Sequence, residues 1–145
     1  MLRVLSTTEC NIGEVFRQRN EFIPAESYSQ QALSHARLYE GTEEKKTDLL
    51  CIALRSYYSV WAFQRNYANA LPFAEEAYNL VAIAYNPVHP KVQFAAGKLI
   101  ECLMHKGDLY DAERFAEATL DSLKDPANEF DQESEAVALG YYSLA

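Results

Sequence analysis

The chain is poor in the two residues that break regular structure. Its 145 residues include only five glycines and five prolines, and an all-β protein of this length would need more tight turns than these residues supply. Hydrophobic residues make up 49% of the sequence and charged residues 23%, which is typical of a folded globular protein. These proportions predict a helical domain that is long enough to bury a core.

Cysteines and long apolar runs are also scarce. The three cysteines, Cys10, Cys51 and Cys102, are odd in number and form no CxxC pair, so neither a disulfide framework nor a zinc site is expected. Apolar runs such as LVAIAY at 80–85 are too short to span a membrane, and the opening MLRVLSTTEC lacks the apolar core of a signal peptide. We therefore expect a cytoplasmic protein that does not contact a membrane.

Basic residues are outnumbered, and the excess of acid is local. The net charge is −8. Ten acidic residues lie between Asp108 and Glu135 against Arg114 and Lys124, whereas the rest of the chain balances eleven acids with eleven bases. Since no basic stripe is available to neutralise phosphates, nucleic acid is not an expected partner. The acidic segment is interpreted as a solvated helix face, with a docking surface for a basic segment as the alternative.

Motifs of the common enzyme classes are absent as well. The sequence contains no GxSxG, P-loop, GxGxxG or HExxH, and its histidines, His35, His89 and His105, are far apart. His89 is expected to start a helix, and His35 and His105 to be exposed or to line a groove. Glu101 and His105 are four residues apart, which favours a pair on one helix face over an acid–base site. We predict no enzymatic activity, no cofactor and no metal ion.

What the sequence does contain is helical periodicity. Apolar segments of about 15 to 19 residues alternate with short polar breaks, which is the pattern of antiparallel helix pairs. The predicted helices are 3–18, 22–39, 45–64, 68–85, 90–106, 109–124 and 132–144. Pro90 suits a first helical turn, Gly107 a helix end and Asp108 an N-cap. Pro72 predicts that its helix starts late, capped by Asn69, or bends.

Small residues recur at a fixed interval in these helix pairs. Three alanines, Ala25, Ala70 and Ala112, are 45 and 42 residues apart, and each is followed seven positions later by another small residue, namely Ala32, Ala77 and Thr119. A period of this size indicates a solenoid of two-helix repeats. The alanines are expected at helix crossings, with Ala25 facing Gly13 and with bulky neighbours such as Phe16, Trp61 and Leu103 beside them.

The windows that carry this period resemble the tetratricopeptide repeat. NIGEVFRQRNEFIPAESYSQQAL at 11–33 is the closest, KGDLYDAERFAEATL at 106–120 resembles the second helix of the motif, and the long period and the His89–Pro90 start are similar to kinesin light chain-type repeats. The resemblance implies one all-α domain over 1–145, a right-handed solenoid of repeats at about 3–40, 45–86 and 89–125 with a partial fourth at 131–145. Tyr58 and Ile100 stand where the family prefers glycine.

The resemblance also implies the function, which is binding of a peptide or partner protein in the groove lined by the first helix of each repeat. Arg17, Arg55 and Lys98 would offer a positive strip to an acidic peptide, diluted by Glu14 and Glu101. The groove set that the motif implies is Cys10, Asn11, Glu14, Arg17, Arg55, Ser56, Ser59, Ala62, Lys98, Glu101, Met104 and His105.

Two questions stay open at this level. Most of the aromatic cluster Tyr57, Tyr58, Trp61 and Phe63 is expected in the core, with Tyr58 and Phe63 as possible binding anchors. The apolar segment 132–144 indicates a fragment of a longer array, a last helix packed on the preceding repeat, or a helix that pairs with another copy. A structural, self-associating segment is therefore the alternative to the binding scaffold.

Overall fold

The computed structural model describes residues 1–125, which form six helices and no strand. The predicted all-α class is confirmed, and the predicted helix bounds agree with the observed ones to within two residues. The predicted helix 132–144 and the partial fourth repeat lie outside the described residues. The helices are α1 (Leu2–Gln18), α2 (Phe22–Leu38), α3 (Glu43–Phe63), α4 (Tyr67–Ala84), α5 (Pro90–Lys106) and α6 (Leu109–Lys124).

The chain divides into two compact units, and each is described by itself. The first, Met1–Ala77, holds α1, α2, α3 and the beginning of α4. The second begins at Tyr78 and holds the end of α4 together with α5 and α6.

In the first unit, α1 and α2 are antiparallel, and α3 packs beside both. The Ser6 hydroxyl, near the start of α1, donates to the carbonyl of Ala32 near the end of α2 at 2.8 Å. At the opposite end, the rings of Phe16 and Tyr28 stack with centroids 5.7 Å apart. The large side chains of α3 complete the core, and Leu54 is fully buried.

The recurring alanines are buried, and Gly13 faces Ala25 across the contact of α1 with α2, as predicted. Ala25, Ala70 and Ala112 are all fully buried. A methyl group added at Gly13 would contact the Ala25 carbonyl oxygen and the Ser29 hydroxyl, both at 3.4 Å, so the backbone of α1 approaches α2 closely there. Such close approach requires a residue without a large side chain, which explains why alanines stand where leucines would bury more surface.

The first helix of each predicted pair, namely α1, α3 and α5, ends in the same type of turn. Asn20, Arg65 and Gly107 all have left-handed backbone, with φ of 60°, 57° and 99°. After each of them, the next amide donates back to the carbonyl five residues earlier, as in the bond from Glu21 to Phe16 at 2.9 Å. This is the Schellman arrangement. The three turns are 45 and 42 residues apart, like the alanines. Two of them were missed from sequence because Asn20 and Arg65 are not glycines.

Helix caps agree with the predictions at some ends and differ at others. His89 caps α5, its Nδ1 accepting from the Lys91 amide at 3.1 Å, and Pro90 follows as expected. The predicted Asn69 cap is wrong, because α4 already begins at Tyr67 and the Asn66 side chain accepts from the Asn69 amide at 3.1 Å. Asp108 occupies the N-cap position of α6 without a capping hydrogen bond, since its carboxylate pairs with Lys106 at 2.8 Å.

The second unit is built around the contact between α5 and α6. Ile100 and Cys102 of α5 and Leu123 of α6 are almost completely buried. At the beginning of this unit, the Tyr78 ring meets the edge of Phe115 with centroids 4.9 Å apart. Edge-to-face contacts of this kind add to the stabilisation from burial alone.

Candidate functional site

The predicted groove residues of the first unit lie on α1 and α3, which run parallel. Two contacts set this register: Ser56 hydrogen-bonds to Cys10, and the Arg17 guanidinium lies over the Phe63 ring. Both pairs are 46 residues apart in sequence, so the two helices lie side by side in the same direction. Asn11 and Arg55 are exposed on this surface, and Ser59 is half-buried.

Not every predicted groove residue faces outward. Cys10 is buried, and the Ser56 hydroxyl lies 3.4 Å from that of Ser29 on α2. The Ser59 hydroxyl donates to the Arg55 carbonyl oxygen at 3.0 Å, one turn earlier in α3. The surface therefore exposes Asn11 and Arg55, while Cys10 and Ser56 join the helices.

At one end of this surface, Arg17, Glu14 and Phe63 form a cluster, which we call the Arg17 cluster. The Arg17 guanidinium lies 3.8 Å from the centre of the Phe63 ring. Its Nε donates to Glu14 Oε2 at 2.8 Å, and a second guanidinium nitrogen donates to Oε1 of the same carboxylate. The Arg17 side chain is only 11% exposed. Such a bidentate, stacked arrangement fixes the orientation of both side chains.

This pairing changes the electrostatics of the predicted positive strip. The hydrogen bonds from Arg17 lower the pKa of the Glu14 carboxyl, against a smaller opposing effect of burial. Glu14 is therefore ionised at neutral pH, and its charge neutralises that of Arg17. Arg55 is the exposed cation that the predicted strip presents in the first unit.

Phe63 lies outside the core, unlike the two tyrosines of the aromatic cluster. Its ring is 60% exposed although its inner face covers Arg17, whereas Tyr57 and Tyr58 are buried. Phe63 therefore lies at the surface, with one face of its ring against Arg17. Tyr58 belongs to the core.

The predicted groove residues of the second unit lie along α5. Lys98 Nζ is 3.5 Å from Glu101 Oε2, so the positive charge at Lys98 is also partly neutralised. Met104 is half-buried and His105 is exposed near the end of the helix. These four side chains share one helix, and their spacing of three and four residues places them along one side of it.

A small pocket in the second unit was not predicted. It has a volume of about 150 Å³ and is lined mainly by Tyr78, Tyr85, Pro87, Val92 and Phe115. Burial raises the pKa of the Tyr78 phenol, so this group is neutral at physiological pH. The pocket is well below the size of typical small-molecule sites, about 300–1,000 Å³, and it accommodates at most a side chain.

A buried hydrogen bond between α1 and α2 in the first unit was also missed. His35 Nδ1 lies 2.6 Å from Glu9 Oε1, and Glu9 is only 6% exposed. The expectation that His35 is exposed or lines the groove is therefore wrong: the ring reaches from α2 to a carboxylate that α1 carries into the interface. Helix register decides this contact, and the two residues are 26 positions apart, so no local sequence pattern indicates it.

Residues 1–125 lack two further kinds of functional feature, a metal site and a membrane span. In this part of the chain, no group of three or more potential ligands could hold a metal ion, and no helix has the length and apolarity needed to cross a bilayer. The cysteines are not disulfide-bonded. Burial raises the pKa of the Cys10 thiol, against a smaller lowering by its hydrogen bond to Ser56, so the thiol is not activated as a nucleophile.

No protein-family model matches the chain, and no curated protein is similar to it.

Proposed function

We propose that the chain is a non-catalytic binding scaffold of the tetratricopeptide type. In this proposal, three helix pairs and a terminal helix form a right-handed solenoid, and an extended or helical peptide binds along the first helices of the pairs. The observation that carries it is the recurrence of one structural unit, a left-handed turn followed by a fully buried alanine, at intervals of 45 and 42 residues.

Parallel first helices support this proposal. In the first unit, α1 and α3 meet through residues 46 positions apart, Arg17 with Phe63 and Cys10 with Ser56. Stacking of repeats requires this relation, since each first helix must lie beside the first helix of the next repeat in the same direction. A surface made from two parallel helices is also a groove into which a peptide can fit.

The chemistry of the surface defines the class of peptide. Phe63 provides an exposed apolar ring and Arg55 an exposed positive charge, and Asn11 adds a side-chain amide. Arg17 and Glu14 satisfy each other and hold Phe63 in place. We infer that the partner peptide has an apolar residue for Phe63 and an acidic residue for Arg55.

A peptide selection tests this function. The full chain is used to select binders from a phage library of random peptides, and a selected peptide is synthesised with a fluorophore for anisotropy titration. The double variant Arg55→Glu, Lys98→Glu and the single variant Phe63→Ala should each weaken binding at least about tenfold, with unchanged circular dichroism.

The matched control is a charge reversal on α6. Arg114→Glu with Lys124→Glu changes the net charge by the same amount, so its affinity should stay within about twofold if the effect is local. If the Phe63 and Arg55 variants bind the selected peptide with the same affinity as the wild type, the groove assignment is wrong.

A further inference from the structure

The outer face of α1 carries an apolar stripe that the peptide-binding proposal does not use. Leu5, Thr8, Ile12 and Val15 follow one another at intervals of three, four and three residues, which places them on one face of the helix. We call these four residues the α1 stripe. Leu5 is 39% exposed and Val15 55% exposed, Thr8 is exposed and Ile12 half-buried. Val4, beside them, is 67% exposed.

This face is distinct from the faces by which α1 contacts its neighbours. Ser6, Glu9 and Gly13 meet α2, and Cys10 and Arg17 meet α3. Helical spacing separates the α1 stripe from both sets. The α1 stripe therefore lies apart from these contacts, and it exposes the apolar side chains of Leu5 and Val15 to water.

None of the four residues of the α1 stripe is charged, and the charge nearest along this face is Arg19, four residues after Val15, which pairs with Glu21. Every acidic or basic side chain between residues 4 and 38 has a partner elsewhere: Glu9 with His35, Glu14 with Arg17, Arg19 with Glu21, Glu26 with Tyr57 and Arg37 with Glu76. A surface that lacks charge and exposes aliphatic side chains has the composition of an interface centre. A partner for it must also be uncharged, because a charge buried against the stripe would lose its hydration without compensation.

A second copy of this chain meets that requirement, and we propose that the protein forms a two-fold symmetric dimer through the α1 stripe. The stripe is symmetric about residue 10, so two antiparallel α1 helices place Leu5 opposite Val15 and Thr8 opposite Ile12. Each residue then meets a complementary one, as a two-fold interface demands. The intervals of three and four residues permit knobs-into-holes packing along this seam.

Sedimentation equilibrium of the full chain tests the dimer. The wild type should be a dimer at high concentration and dissociate on dilution. Val15→Glu should weaken dimerisation at least about tenfold, with helicity unchanged by circular dichroism. Thr8→Glu, which replaces an exposed polar residue, is a second variant for which misfolding is not a concern. Ile83→Glu, at an apolar residue that is 87% exposed outside the stripe, is the control and should dimerise like the wild type.

Cross-linking tests the orientation. In a Cys51→Ser background, Leu5→Cys and Val15→Cys proteins are mixed and oxidised. A disulfide should form in the mixture and not in either protein alone, because position 5 of one copy lies opposite position 15 of the other. A wild type that stays monomeric at millimolar concentration, a stripe variant that dimerises normally, or Leu5→Cys cross-linked to itself would each overturn the proposal. A monomeric wild type is the result expected if another helix pair of a longer chain covers the stripe.

Discussion

Arg65 holds a backbone conformation that side chains disfavour. Its φ is 57°, and it ends α3 as Gly107 ends α5. A residue with a Cβ pays about 1–2 kcal/mol in the left-handed region, whereas glycine enters it freely. The turn persists because its hydrogen bonds, from Arg65 to Ala62 at 3.0 Å and from Asn66 to Trp61 at 3.0 Å, close the end of the helix.

Replacing Arg65 by glycine should therefore stabilise the protein. We expect Arg65→Gly to raise the free energy of unfolding by about 0.5–1 kcal/mol, after subtraction of the greater flexibility of glycine in the unfolded chain. Urea denaturation followed by circular dichroism measures this change. Gly107→Ala should lower stability by about 1 kcal/mol for the same reason; if both substitutions move stability in the same direction, backbone strain is not the cause.

Tyr57 should couple stability to high pH. Burial, followed by the neighbouring Glu26 carboxylate, raises the pKa of its phenol to about 12, whereas a tyrosine in an unfolded chain ionises near 10. Between these values the unfolded state loses its proton first, so stability present at neutral pH is lost as the pH rises from about 10 towards about 12.

The variant Tyr57→Phe isolates this effect. It removes the hydrogen bond to Glu26, 3.2 Å long, which should lower stability at neutral pH by about 0.5–1.5 kcal/mol. Its stability should then fall less steeply than that of the wild type between about pH 10 and about pH 12 in urea titrations. Equal alkaline slopes for the two proteins would contradict the assignment. Tyr78 and Cys10, whose pKa values are also raised, contribute to the slope that remains in the variant.

At the level of single residues, the sequence predicted those positions where the residue type itself favours one backbone conformation. It missed the positions where the surrounding structure imposes the conformation or the exposure. Gly107 and Pro90 have backbone preferences that hold wherever they occur, and both stand where predicted. Arg65 gives no such signal, because the turn imposes its conformation. The exposure of Phe63 could not be decided either, since a residue in the last turn of a helix has few neighbours along the chain to define its face.

Between elements, the buried alanines set the distance of approach of the helices. Ala112 lies in the first turn of α6 and is fully buried. Ala112→Leu should overpack this position and lower the free energy of unfolding by about 1–3 kcal/mol. Ala118→Leu adds the same atoms at an exposed position of the same helix, so its effect on stability should stay within about 0.5 kcal/mol. Thermal and urea denaturation of both variants make the comparison.

The Glu9–His35 pair links α1 to α2 in a different way. Glu9 is almost completely buried, so removing its partner leaves a buried polar group without its hydrogen bond. We expect His35→Ala to cost about 2 kcal/mol or more. Arg19→Ala, which breaks the exposed pair with Glu21, should cost less than about 0.5 kcal/mol. If the two substitutions cost the same in urea denaturation, the buried pair does not stabilise the contact.

Helix positions were predictable from sequence because their signal is local. The apolar spacing and short polar breaks repeat within each segment, and the observed bounds follow them closely. The start of α3 was placed two residues late, because Thr42, whose hydroxyl accepts from the Lys45 amide at 3.3 Å, precedes a charged run without apolar periodicity. Contacts across helices, such as Glu9 with His35, depend on register over 26 residues and leave no local trace.

For the molecule as a whole, the net charge of −8 opposes the approach of two copies. An interface through the neutral α1 stripe contains no ion pairs, so no attraction between charges offsets this repulsion between the two copies. Salt screens the repulsion, since the Debye length falls from about 30 Å at 0.01 M to about 3 Å at 1 M.

Dimerisation should therefore strengthen as salt is added. We expect the dissociation constant from sedimentation equilibrium to fall several-fold between about 0.01 M and about 1 M sodium chloride, while helicity stays constant. An acidic peptide bound to Arg55 should respond in the opposite way, because salt weakens attraction between unlike charges. The two proposed surfaces are thus distinguishable in one protein by the sign of their salt dependence. A dimer weakened by salt would show that ion pairs, and not the α1 stripe, hold the copies together.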